Sequence, residues 1–423
     1  MTTPRSRIPR QSAQGHCSRS RDADAITVDP SSNSTLIPLV RLTSIRAGVR
    51  LGWFMGRMSM AGQWVRHTGP RAPSSPDHRR YRTRRPVQRE SAEGPTAASG
   101  APCQATASLG KVTGHPRETA DSPTIMTVHA HPDDEASKGA PTLARYAAQG
   151  CRTVLVCCTG GEEGDLQNPS LREPGQPFHG LDEGQERDLL ASVRPRELAE
   201  SAAVIGFGTI EMLGYRDSGM ADSPANSHPD CFHMADLEEA VDRLVRLIRV
   251  HRPDVLITYS DEQSGYPHPD HLRVHEISVV AFDRAADPSH RQDLGAAHEI
   301  SKLYYSVWSR DRMLAVHQAL LDKHGRSPFE EHWFDRPGQD DRITTRVDVR
   351  DYMWARTGAL RAHATQVNPE ELFWFGLDED ELARTYPTED WVLAASRVGD
   401  ADPSSHETDL LERTTWAAIA DVR

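Results

Sequence analysis

Cysteine is scarce in this 423-residue chain, and none of its six copies forms a Cys-x-x-Cys pair. Cys17, Cys103, Cys151, Cys157, Cys158 and Cys231 follow neither the spacing of a disulfide framework nor that of a thiolate zinc site, so a reducing, cytoplasmic setting is expected. No apolar run reaches the roughly 18 residues a membrane-spanning helix needs. A Gly-x-Gly-x-x-Gly or Walker loop is also missing, which leaves a nucleotide cofactor without support. Gly160-Gly161 with Gly164 is only a glycine-rich turn.

Charge is unevenly spread. Residues 1–122 hold 19 of the 49 Lys and Arg but 8 of the 61 Asp and Glu, a net +11 that leaves −23 on the remainder. An acidic body of this size has nothing with which to neutralise phosphates, so no nucleic-acid partner is expected. The first 122 residues are rich in Arg, Ser and Pro and lack apolar periodicity. They read as a disordered extension, or as chain upstream of the true start; a basic arm for an anionic partner is the competing reading.

From Thr124 the pattern changes. A β-rich run over 124–131 is followed by helical spacing over 137–149, closed by Gly150. Further strands are predicted at 153–158, 209–213 and 254–259. Helices are predicted at 195–205 (with Pro195 in first position and Gly206 past the end), 235–250 and 270–285. Strands alternating with helices imply an α/β fold: a Rossmann-like, mainly parallel sheet flanked by helices, with ligands gathered at the strands' carboxyl ends.

Two histidine-bearing segments fall at such ends. His131-Pro132-Asp133-Asp134-Glu135 follows the first strand, and Tyr266-Pro267-His268-Pro269-Asp270-His271 follows the strand at 254–259. A catalytic zinc site takes three N or O ligands and keeps one position open. His131, Asp134 and His271 make such a set, and iron also suits N/O donors. Asp133, next to a ligand, is placed to move a proton as general base and acid. His268 and Tyr266 are candidates to oppose charge on a developing oxyanion. Singly, each motif has a plainer reading: His-Pro-Asp is a common turn, and Asp-Asp can cap a helix. His317 and His363 are expected to be ordinary surface or core histidines.

The segment His131–Glu135, with His268-Pro269-Asp270-His271, resembles the two signatures of the LmbE-like (PIG-L) deacetylase family. The resemblance implies a Rossmann-like fold and zinc-dependent N-deacylation of amino sugars. It gives His131, Asp134 and His271 as ligands, Asp133 as base and His268 as electrostatic partner. Blocks such as Thr159-Gly160-Gly161-Glu162, Asp217-Ser218-Gly219 and Tyr386-Pro387-Thr388-Glu389 are similar to the mycothiol S-conjugate amidase branch, over about residues 124–397, with additional C-terminal α/β elements. That branch implies hydrolysis of the amide between S-substituted cysteine and glucosaminyl-inositol, in detoxification or a natural-product pathway. By position, Arg194 and Asp217 would meet the sugar–inositol part and Lys138 the cysteinyl side.

The chain is thus expected to divide into an extension (1–122), an LmbE-like amidohydrolase domain (123–400) and a C-terminal tail (401–423). Its partner would be a small amino-sugar thiol conjugate. Two alternatives stand beside the amidase: a deacetylase of N-acetylglucosaminyl-inositol, and a non-catalytic sugar- or metal-binding protein of the same fold. Oligomeric state is not readable from the sequence.

Overall fold

The computed structural model describes residues 122–399 and 405–416, and the basic stretch up to residue 121 lies outside them. Seven strands form one sheet in the order β3-β2-β1-β4-β5-β7-β6. They are β1 (Thr124–His129), β2 (Arg152–Thr159), β3 (Thr209–Tyr215), β4 (Val255–Tyr259), β5 (Lys302–Val307), β6 (Thr345–Asp348) and β7 (Thr388–Ser396). The first five pair in parallel, while β7 pairs antiparallel with both β5 and β6. The expected mainly parallel α/β sheet is present, and its C-terminal addition is the antiparallel pair at one edge.

Every residue of β1 and β4 is buried. Helices cover both faces, so these strands read as continuous apolar runs rather than alternating ones. Met126 and Val128 point into one core, against Leu244 and Ile277; Ile125 and Ile257 point into the other, against Leu143 and Leu360. The strand order turns back at β1, with β2 on one side and β4 on the other, and the crevice at this switch point is where such sheets bind ligands.

Several boundaries differ from the sequence reading. The helix expected over 137–149 is two: α1 (Asp134–Ser137) and α2 (Ala140–Ala148). Gly139 separates them with φ +104°, and a Cβ there would stand 2.7 Å from the Trp391 ring. Only glycine meets both conditions without strain. Pro195 does not begin its helix but lies inside α3 (Glu183–Ile205), which starts twelve residues earlier because Asp182 and Gln185 form a capping box. Gly206 ends α3 in the left-handed conformation, as expected. Helices α4 (Leu237–His251) and α5 (Pro269–Ala286) match their predictions to within two residues.

The stretch read as a tail also contains packed structure. Glu407 exchanges backbone hydrogen bonds with the β6 edge, Arg346 N to Glu407 O at 2.8 Å and Glu407 N to Thr344 O at 2.8 Å. Its carboxylate pairs with the fully buried Lys302 of β5 at 3.1 Å and accepts from Tyr304 Oη at 2.8 Å. A buried ammonium is costly unless paired, so residues 405–416 complete the sheet's edge rather than trail from it.

Candidate active site

Four strand ends supply the site. His131 to Glu135 follow β1, Gly160 to Glu163 follow β2, Asp217 and Ser218 follow β3, and the segment after β4 leads to His268, Asp270 and His271 at the start of α5. His268 caps α5: its Nδ1 accepts from Asp270 N at 3.1 Å, and Pro269 takes the first helical position. With Nδ1 committed as acceptor, a neutral His268 carries its proton on Nε2, free to donate into the site.

The structure brings two buried donor groups together, His131–Asp134–His271 and His131–Asp217–His268–Asp270. In each, one ligand-type atom per residue lies within 4.8 Å of all the others. Asp134 Oδ2 stands 3.4 Å from His131 Nδ1 and 3.4 Å from His271 Nε2. Ligands held about 2.0–2.1 Å from a shared tetrahedral ion are separated by roughly this distance. Two imidazoles and a carboxylate, all buried, are the donor chemistry of a catalytic metal site, so the residues present could hold a metal ion. The other Asp134 oxygen, Oδ1, pairs with the Lys138 ammonium, which also lies 5.4 Å from the Tyr259 ring centroid. On its opposite side His131 Nε2 is 3.4 Å from Asp217 Oδ1 and 3.3 Å from Asp270 Oδ2.

The electrostatics follow from burial. Burial opposes a charge on His131, but Asp217, Asp134 and Asp270 outweigh it and raise its pKa well above the ordinary value. Burial would lift Asp134, yet Lys138 and His271 hold its carboxyl well below the usual range. Asp217 is likewise driven low, because His131 and the Gly219 amide outweigh burial. His268 is pushed down to about 2 by burial and by the two neighbouring histidines.

Asp133 differs from these. Its backbone has φ +118°, a conformation that side chains rarely adopt and that stores on the order of 1–3 kcal/mol. Burial pushes its carboxyl up to about 6, against the pull of Arg194. Arg194 is nearly fully buried: it donates to Pro132 O at 2.6 Å, to the Gly161 carbonyl, and to Asp133 Oδ2 at 3.1 Å. A Cβ on Gly161 would stand 2.2 Å from that guanidinium, so this glycine makes room for Arg194. Where the resemblance implies a sugar contact, the structure places Arg194 beneath Asp133.

Of the remaining expected residues, Tyr266 stacks on His268, ring centroids 6.1 Å apart, and lies tilted beside His271 at 5.3 Å, with its hydroxyl 3.6 Å from Met220 Sδ. Asp217 faces His131 and accepts from Gly219 N at 2.8 Å. His363, read as ordinary, is fully buried and pairs with Glu135 at 2.5 Å. Glu135 also accepts from Ser201 Oγ at 2.5 Å and from Asp133 N at 3.0 Å, which fixes the Asp133 turn from below. Half-buried His317 bonds Ser327 Oγ at 2.9 Å.

Two participants escaped the sequence reading. Asp270 sits inside the second motif yet received no role, and Ser218 binds it through both N (2.9 Å) and Oγ. The second motif was the available signal for Asp270, and the Asp217-Ser218-Gly219 block was the one for Ser218.

The PIG-L family model, described as GlcNAc-PI de-N-acetylase, matches residues 126–282. The mycothiol S-conjugate amidase of Streptomyces coelicolor is 39% identical over 305 residues, covering 70% of this chain and 97% of that relative. The 1D-myo-inositol 2-acetamido-2-deoxy-alpha-D-glucopyranoside deacetylase of Geodermatophilus obscurus is 37% identical over 288 residues, covering 66% and 94%. A solved structure, the N,N'-diacetylchitobiose deacetylase of Pyrococcus horikoshii, is 18% identical at a TM-score of 0.44, covering 64% of this chain and 83% of that one. With both histidine motifs meeting in one crevice and these full-length relatives, the chain belongs to the PIG-L family and is a hydrolase acting on an amide.

Proposed function

We propose that the chain is a zinc-dependent amidase that cleaves the bond between an S-substituted cysteine and glucosaminyl-inositol. The observation that carries this reading is Asp133, a raised carboxyl on strained backbone beside the His131–Asp134–His271 set. Binding a metal alone would not require a spare carboxylate held in that conformation by Arg194 and Glu135. This weighs against the non-catalytic alternative.

His131, Asp134 and His271 would hold the zinc, which when bound polarises the scissile carbonyl and lowers the pKa of water. Asp133 takes a proton from the attacking water and returns it to the departing amine. His268, neutral and with its proton on Nε2, donates a hydrogen bond to the carbonyl oxygen as it gains charge, and Tyr266 flanks it. Lys138, Arg194 and Asp217 were expected to touch substrate. We keep that role for Lys138 and Asp217, and assign Arg194 to positioning Asp133. The extension 1–122 stands outside the chemistry, in a cytoplasmic enzyme.

The test is metal content and hydrolysis of a mycothiol S-conjugate, with N-acetylglucosaminyl-inositol as competing substrate, for wild type and Asp133→Ala. Preference for the conjugate, lost in the variant with metal retained, supports the reading. Preference for the acetyl sugar moves the chain to the deacetylase branch. An Asp133→Ala enzyme with unchanged turnover would overturn the mechanism.

A further inference from the structure

Helix α3 turns a polar face to the core. Arg194, Glu197 and Ser201 stand three and four residues apart, so they share one side of the helix, and all three are buried there. Polar groups are costly to bury unless each is bonded, and each of these is committed to a segment outside the helix. Arg194 donates to Asp133 Oδ2 at 3.1 Å, and Ser201 Oγ donates to Glu135 Oε1 at 2.5 Å. Glu197 accepts from Thr365 N at 2.9 Å and from Thr365 Oγ1 at 2.6 Å. That last contact docks the turn after the helix Met353–Ala362 and delivers His363, fully buried, beneath the first motif.

His363 meets Glu135 there, its Nε2 2.5 Å from Glu135 Oε1, while Glu135 Oε2 accepts from Asp133 N at 3.0 Å. The Glu135 carboxylate is thus a bridge. One oxygen is held by His363 and Ser201, and the other holds the backbone of Asp133. Asp133 needs such a hold, because a residue at φ +118° relaxes to a commoner conformation unless its surroundings over-determine it. Arg194 grips the Asp133 side chain and the Pro132 carbonyl, but among the described residues only Glu135 accepts from the Asp133 N–H. Packing does not account for His363, since its Nδ1 is buried with no hydrogen-bond partner among the described residues. A buried nitrogen left unsatisfied is destabilising, and such groups persist where the arrangement serves something else.

From this geometry we infer that His363 is a positioning residue for the general base: by fixing Glu135 it holds Asp133 in its left-handed conformation beside the His131–Asp134–His271 set. The inference rests on the assignment of Asp133 as base under the proposed function. His363 makes no hydrogen bond, ion pair or ring contact with His131, Asp134 or His271, so its effect on turnover runs through Glu135 and Asp133.

The test is a double-mutant cycle on the full chain, with bound metal measured alongside. The substrate is whichever of the mycothiol S-conjugate and N-acetylglucosaminyl-inositol the wild type hydrolyses. His363→Leu is expected to lower kcat by about 10–100-fold through misplacement of the base, with KM and metal content each within about twofold of wild type. His363→Gln, whose amide nitrogen can replace Nε2 as donor, should recover most of that loss. In an Asp133→Asn background the base is already gone, so His363→Leu should change the residual kcat by less than about twofold. A merely structural fault would lower kcat by the same factor in both backgrounds. Full activity in His363→Leu, equal losses in the two backgrounds, or release of the metal overturns the inference. Should His363→Leu fail to fold, Ser201→Ala carries the cycle, since it removes the other donor to the same Glu135 oxygen. A several-fold loss of kcat that vanishes beside Asp133→Asn supports the inference, and an unchanged kcat or an equal loss in both backgrounds overturns it. Wild-type kcat in Asp133→Asn itself would instead remove Asp133 as base and count against the proposed mechanism.

Discussion

The two donor groups that share His131 differ in what their lone pairs already do. In the group with Asp217, His268 and Asp270, the protein itself occupies the acceptors. Asp217 accepts from Gly219 N and Glu163 N, Asp270 from Ser218 N and Oγ, and His268 Nδ1 from Asp270 N. In the group with Asp134 and His271, Lys138 holds Asp134 Oδ1, while Oδ2 accepts from His131 N at 3.0 Å and faces His131 Nδ1 and His271 Nε2 at 3.4 Å each. Atoms held by several backbone amides are fixed in place, whereas two imidazole nitrogens and a carboxylate oxygen converging at 3.4 Å match the spacing of ligands around one ion. On the proposed reading the first group is a positioning frame and the second the metal seat, with His131 shared between them.

Substitutions that separate the two groups test this division. Asp134→Ala should have the largest effect: metal content near zero by elemental analysis, and activity lowered by about 10⁴-fold or more, since both the Lewis acid and its orientation are lost. Chelation of the wild type should reproduce that loss, and added zinc should reverse it. A fully active, metal-free Asp134→Ala enzyme would sink the assignment.

Asp133→Asn comes next, with metal retained and kcat lowered by about 10²–10⁴-fold, the usual worth of a positioned general base. Loss of metal in this variant would mean that Asp133 is a ligand and that the seat is wrongly drawn. His268→Ala should retain metal and lower kcat by about 10²-fold with little change in KM, as for removal of one oxyanion donor. If it released the metal instead, the second group would share in holding the ion. Asp270→Asn should have the smallest effect. It leaves the seat's own donors in place but loosens His131, so metal affinity in a competition titration should weaken by about 10–100-fold. Unchanged affinity would mean that Asp270 does not orient His131.

Much of this site was legible in one dimension. His131, Asp133 and Asp134 lie within four consecutive residues, and His268 and His271 within another four, so local spacing exposed them. Glu135 and His363 were not legible as a pair, because 228 residues separate them. Pro195 misled for a related reason: proline favours helix starts, but the Asp182 capping box had already begun α3.

The sequence by itself determined the alternation of strands and helices, and with it a mainly parallel sheet whose carboxyl ends carry both motifs. Apolar periodicity and turn residues act over a few positions, so a single chain can display them directly. Only the tertiary structure decided which donor atoms converge, that Arg194 donates to Asp133, and that residues 405–416 seal the sheet's edge through Glu407 and Lys302. These outcomes depend on burial and on contacts between distant segments, where the cost of an unpaired buried charge selects the partner.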